Sequence, residues 1–441
     1  MVRLGTNCRV LALVLAACSG QGGGGGTSAT DGGPDGPGGP DGAGSPPDQI
    51  EPDPCEGQTP TCPPASGLSE GSGLAAIDRC AFPMEDRDTW DQSGAVVDRL
   101  AEVLEVVSVG DVLGDLNRDA VPIAPADLPG DVPGVESAFA WQSGDESVAY
   151  WIPQGITGSG DGVEGGRIDG RRVLLVSWYY DREQDPGSSA DKGVRIAVVD
   201  ATDPADIRYR FVLLVEPTMT GDRPDFGPVP VHAGGLAWVG NLLYVVDTSQ
   251  GLRVFDLERL LRVDTGADAI GYDPDTDSYQ AHDYAYVLPQ IGWYAPASSC
   301  DPVFSFVSVD RTSSPPSLVT GEYDADSVAG RLYRWPFDAA SGRLRQVGEP
   351  ARVIPDGAWF SSQSHVQGGL AVDDTFWLSS SKPAGAAGVL YRTAEGTASA
   401  SLGWSDTPED LSYDPRDGLL WSLSEGLGAR HVFSLPLDAV E

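Results

Sequence analysis

The side chains best suited to chemistry recur at one kind of position, the start of a short segment rich in small or apolar residues. They are Gln154, His232, Gln367 and Glu409, with His365 just upstream of Gln367. A second set closes the runs that follow them: Asp181, Asp247, Asp324 and Glu425. A ring of such groups suits a hard cation held by oxygen ligands, calcium or another divalent ion, with Glu409, Asp247 and Asp410 as candidate metal ligands. It equally suits a cationic or polyhydroxylated ligand. The competing reading is that Glu409 and Asp410 only hydrogen-bond exposed strand ends.

No complete catalytic motif accompanies these residues. There is no Gly-x-Ser-x-Gly elbow, no His-Glu-x-x-His and no glycine-rich phosphate loop, so no catalytic residue is assigned. Two segments mimic calcium loops, Asp273-Pro-Asp-Thr-Asp277 and Asp115-Leu-Asn-Arg-Asp119. Both lack the sixth-position glycine, and Tyr284 and Ala126 stand where the closing acid belongs.

The elements that must position these groups repeat. Residues 172–181 and 193–200 form a pair of β-branched and aromatic runs. So do 240–247 with 251–256, 317–324 with 330–335, 375–380 with 388–392, and 418–425 with 429–434. A small-residue or apolar strand precedes each pair, at 153–156, 233–236, 304–307, 367–370 and 408–411. Three strands per unit, with a more variable outer one, describe a propeller blade. The predicted fold class is therefore all-β, a β-propeller of five blades, with residues 120–150 leaving room for a sixth. A jelly roll or sandwich is the rival, but it does not explain five recurrences of one motif order.

The segment Thr407-Pro-Glu-Asp-Leu-Ser-Tyr-Asp-Pro-Arg-Asp-Gly-Leu-Leu-Trp-Ser-Leu-Ser-Glu425 resembles the blade signature of secreted bacterial propellers, including esterase-like phytase and gluconolactonase-like proteins. His232-Ala-Gly-Gly-Leu-Ala-Trp238 and Trp151-Ile-Pro-Gln-Gly-Ile156 resemble a set of uncharacterised secreted propeller proteins. The likeness covers residues 137–441. In gluconolactonase-like propellers a channel glutamate helps bind the metal, and by position that residue is Glu409. The other ligands of that family have no match here. The resemblance thus implies a metal-dependent hydrolase or lactonase as the alternative to a non-catalytic binding propeller.

Composition narrows the partners. The chain has 441 residues, 65 acidic against 28 basic, and a formal net charge of −37. That excess repels phosphate backbones and excludes nucleic acid as an expected partner. A protein, glycan or small molecule remains. Cys55, Cys62, Cys80 and Cys300 form an even set suited to an oxidising compartment. Four cysteines allow three pairings. Closeness in a proline-rich segment favours Cys55 with Cys62, which leaves Cys80 for Cys300. Zinc ligation is the rival, but Cys-x6-Cys without a nearby histidine is a poor zinc pattern.

The N-terminus reads as an address. Arg3 and Arg9 precede the apolar run of residues 10–17, far short of the roughly 20 residues that span a bilayer. Leu15-Ala16-Ala17-Cys18 resembles the lipobox of bacterial lipoproteins, which implies cleavage before Cys18, its acylation and a lipid-bilayer partner. Ser19 after the cysteine implies sorting to the outer membrane or cell surface.

Residues 1–17 are then a signal peptide, and 18–67 a disordered Gly/Pro/Asp-rich tether reaching on the order of 40 Å. Residues 68–136 form a helical and irregular segment packing on the propeller of 137–441. Its helix is expected within 90–117, from Val96, Val97, Leu100, Val103, Leu104 and Val107 at three- and four-residue steps.

Overall fold

The computed structural model of the protein describes residues 51–441, apart from 88, 189, 339 and 383–386. The signal of residues 1–17, the lipidation candidate Cys18 and tether residues 18–50 lie outside the described residues. Among the described residues, no helix is long and apolar enough to cross a membrane.

The architecture is mostly β and propeller-like. Five strands begin five antiparallel runs: β1 (Trp151–Gly158), β2 (Leu236–Val239), β3 (Phe304–Asp310), β4 (Val366–Val372) and β5 (Pro408–Asp414). From each, at least three further strands pair outward in order, and a fourth follows in the runs begun by β3 and β5. The runs started by β1 and β2 join at their outer strands, where residues 213–215 pair in parallel with 287–289. The five first strands pack on one another in a closed cycle, β1 to β2, β3, β4, β5 and back to β1.

The second strands are buried almost throughout. Every residue of Leu242–Asp247, Ser317–Glu322 and Leu419–Ser424 is buried. Each sheet is thus covered on both faces, which explains why these strands read as near-continuous apolar runs rather than alternating ones. Hairpin turns need special backbone. Asp373 and Asp374, with φ of 49° and 62°, form the two-residue turn between β4 and Thr375–Ser380.

Residues 120–150 form no separate sheet. Ser137–Ala140 and Val121–Ile123 instead add to the outer edge of the sheet begun by β5. The N-terminal part of the domain thereby closes onto the C-terminal strands.

The helix within 90–117 is shorter than its apolar spacing predicts. Helix α1 (Trp90–Ala101) buries Trp90, Val97 and Leu100. Residues 105–107 are then a strand paired with Leu260–Arg262, and α2 (Val109–Leu113) follows. Val103 is 59% exposed, so the three-and-four pattern does not carry through. The adjacent β-branched pair Val106-Val107 favours extended backbone, and a strand edge is available to receive it.

Residues 51–67 were expected to belong to the tether. They are held against the domain. Glu51 bridges Val347, and Asp53 pairs with Arg352. Two disulfides follow, Cys55–Cys80 and Cys62–Cys300. All four expected cysteines are used, but the expected partners are exchanged. Residues 58–66 adopt no helix or strand and contain Pro60, Pro63 and Pro64. An extended run of this kind spans roughly 3.3 Å per residue, so it carries Cys62 away from Cys55 rather than back to it. Cys80 instead lies in a short turn started by the Asp78 carboxylate, which accepts the Cys80 amide at 3.0 Å, and its Cα is 5.6 Å from that of Cys55.

Candidate functional site

The starts of the inner strands meet at one mouth. Gln154 of β1 donates from Nε2 to Glu425 Oε2 at 2.8 Å, although 271 residues separate them. Gln367 of β4 donates from Nε2 to Glu409 Oε1 of β5 at 3.2 Å. Ser305 of β3 donates to Gln367 Oε1 at 3.2 Å. Glu409 is fully buried, and burial pushes its carboxyl well above the ordinary range, with Glu425 and Asp410 adding to the rise. Burial also raises Glu425, against the opposing hydrogen bond from Gln154.

Aromatic rings flank these carboxyls. Tyr179 packs on His232 with ring centroids 4.2 Å apart and planes tilted by 33°, and its hydroxyl feels the charges of Glu425, Asp181 and Glu409. Tyr323, 39% exposed, meets the ring of His365 edge-on at 5.7 Å and feels Glu409, Glu425 and Asp324. Among the described residues, the Nδ1 of His365 has no hydrogen-bond partner. His232 is exposed to solvent yet surrounded by protein atoms, and the lost hydration lowers its imidazole pKa. That combination is what a recessed mouth produces.

Below the mouth the axis narrows to backbone contacts. A Cβ at Gly235 would stand 2.3 Å from the Val307 amide, and one at Gly368 would stand 2.5 Å from the Glu409 carbonyl. At this level Asp410 Oδ2 accepts the amides of Ile156 and Leu236 at 3.0 and 3.2 Å. One carboxylate of β5 thus ties β1 and β2 together across the axis. A ligand at this mouth meets a closed floor rather than an open channel.

Sequence reasoning placed Gln154, His232, His365, Gln367 and Glu409 together, with Asp181, Asp324 and Glu425, and the structure does bring them to one mouth. The three carboxyls offered as metal ligands are not assembled. Asp410 is directed to strand amides, and Asp247 is bound to Arg253 at 2.8 Å. Among the described residues, no group of three or more His, Cys, Asp or Glu side chains is arranged to hold a metal ion. The two calcium-loop mimics have their own partners. Asp273 accepts the Asp275 amide, Tyr272 donates to Asp277, and Asp115 and Asp119 pair with Arg210 and Arg208.

Four contributors were missed. Tyr179 sits at the end of a second strand and Tyr323 just past one; the pair Tyr323-Asp324, a tyrosine next to the closing acid, was an available signal, whereas the same rule in the first unit picks the buried Tyr180 instead of Tyr179. Ser305 carried no signal. Nor did Arg430, a buried cation that donates to the backbone carbonyls of Glu425, Asp145 and Val148 at 3.2, 2.9 and 2.8 Å. It holds the loop that carries Glu425.

No protein-family model matches this chain, and no curated protein matches it. Some solved structures align with it. A gluconolactonase from Xanthomonas campestris aligns over 72% of this chain and 87% of its own, at 12% identity and a TM-score of 0.29. Hydrazine synthase from Kuenenia stuttgartiensis aligns over 63% and 78%, at 13% identity and a TM-score of 0.26. The GH43_1 enzyme from Xanthomonas citri in complex with xylotriose aligns over 78% and 93%, at 9% identity and a TM-score of 0.26. Likeness at these TM-scores carries no argument about the site.

Proposed function

We propose that this chain is a lipid-anchored envelope protein whose five sheets are the blades of a five-bladed β-propeller, and that it binds a polyhydroxylated ligand, a glycan, at the mouth around Glu409. The observation that supports it is the pair of carboxyl–carboxamide contacts, Glu409 with Gln367 and Glu425 with Gln154, set between the Tyr179–His232 and Tyr323–His365 pairs, each with one exposed ring. Carboxyl and carboxamide groups offer donors and acceptors to hydroxyls, and ring faces take the C–H surface of a sugar. Burial favours the protonated form of Glu409, which adds a donor where an ionised carboxylate could only accept.

The test is calorimetric titration of the full chain with oligosaccharides selected on a glycan array. Saturable binding that is lost in Glu409→Gln and Tyr323→Ala supports the reading. Glycan binding unaffected by both variants, or absent at millimolar ligand, rejects it. For the address, Cys18→Ala should move the protein from the membrane fraction to the soluble one, because acyl chains rather than the domain hold it there. Continued partition to membranes after a salt wash would reject the anchor.

One observation favours a second reading. Glu409 and Glu425 are neighbouring carboxyls whose pKa values are raised by burial, a pattern suited to acid–base hydrolysis in which Glu409 protonates a leaving group. Release of product from a bound glycan or lactone, lost in Glu409→Gln, would identify it. Among the described residues, no side chains form a metal-holding set.

A further inference from the structure

A second recess lies at the other ends of the inner strands. The chain leaving α3 (Ser159–Gly162) after β1, the Gly240-Asn241 turn after β2, and α2 together enclose a cleft of about 770 Å³. Its floor is apolar, with Val107, Val109, Trp238 and Leu257 buried beneath it. The Trp238 indole N–H is already used, donating to the Gly240 carbonyl at 2.7 Å. Val106 also lines the cleft and is 49% exposed.

The charged part of the lining is of one sign. Asp111, Glu164, Asp169 and Glu258 line the cleft, and no lysine, arginine or histidine does. Asp111 accepts the amide and hydroxyl of Ser108 at 2.8 and 2.7 Å, and these bonds hold its carboxyl below the ordinary range. Asp169 is pressed against α2: a Cβ at Gly110 would stand 2.4 Å from its Oδ2. Asp111 and Asp169 are thereby held beside the apolar floor.

We propose that this cleft binds a small organic cation with a hydrocarbon body, of the alkylammonium class. Its volume is that of an ordinary small-molecule site. The floor gains by covering its apolar surface, and the carboxylate rim selects a positive head while repelling an anionic one. The site shares no residue with the Glu409 mouth and stands or falls separately from it.

The experiment is calorimetric titration of the full chain with octyltrimethylammonium, octyl sulfate and octyl glucoside, each below its micelle concentration. The ammonium compound should bind one to one and at least about tenfold more tightly than the other two. The double variant Glu164→Gln/Glu258→Gln should weaken it about tenfold. Val106→Trp should block it by filling the cleft, at a position exposed enough to accept the larger ring. Glu409→Gln should leave it unchanged. Equal binding of the three probes, binding indifferent to the Glu164→Gln/Glu258→Gln change, or loss in Glu409→Gln would overturn the proposal.

Discussion

Glu425 raises the pKa of Glu409 across the mouth, while each of the two carboxyls receives a hydrogen bond from a glutamine of a different sheet. The sign of the consequence follows. The folded-state pKa of Glu409 lies well above its ordinary 4.5, so its ionisation costs stability as pH rises through that interval. Glu409→Gln keeps the shape and the acceptor for Gln367 but cannot ionise. It should lose ligand binding while showing equal or greater resistance to urea at pH 7 and above. A variant that unfolds more easily at neutral pH would contradict this.

Asp161 offers a cleaner pH test away from the mouth. It is buried in α3, and burial raises its pKa from 3.8 to about 7 against the opposing pull of Arg311, 3.6 Å away. The folded value exceeds the unfolded one, so the wild type should lose stability between about pH 4 and pH 7. Asp161→Asn should remove that slope and be more stable at pH 8, with a ceiling of about 4 kcal/mol, and little changed at pH 4. Urea midpoints measured at both pH values decide it. An equal difference at the two values would refute the assignment.

The two disulfides can be mapped directly. Digestion without reduction should yield peptides joining Cys55 to Cys80 and Cys62 to Cys300. Closing loops of 25 and 238 residues, each bond should contribute about 3–5 kcal/mol in the chain-entropy description. Cys62→Ser/Cys300→Ser should lower the urea midpoint accordingly and free the strap of residues 58–66 to a protease. A Cys55–Cys62 peptide would restore the expectation from spacing.

Gly235 tests the closed floor. An added methyl would meet the Val307 amide at 2.3 Å and Phe306 Cα at 2.7 Å, and both are backbone atoms that cannot rotate away. Gly235→Ala should cost about 2 kcal/mol or more, whereas Gly240→Ala, with nothing within 4 Å, should cost only the strain of its φ of +62°. Comparable midpoints for the two variants would show that the axis is not packed this way.

Much of this was legible in the chain. Each sheet begins with a segment that the recurrence of 153–156, 233–236, 304–307, 367–370 and 408–411 marks out, because a strand crowded at an axis needs small residues and a covered one needs apolar ones. Knowing which strands begin the sheets also groups Gln154, His232, Gln367 and Glu409, since equivalent positions of equivalent strands share an end. What the sequence could not carry is which partner each group takes. Asp410 and Glu409 are adjacent, yet one ties the amides of β1 and β2 and the other faces Gln367; they lie in a break of strand register between Pro408 and Leu411, where regular alternation does not set direction and the neighbours decide what each meets. Asp247 looked equivalent to Glu425, but an arginine six residues on claims it. The cysteines show the same division. Their number and oxidised state follow from composition, but their pairing depends on where the strap of residues 51–86 crosses the sheets. Burial, charge coupling and disulfide geometry all depend on distances between residues far apart in the chain, and those distances exist only once the sheets have closed on one another.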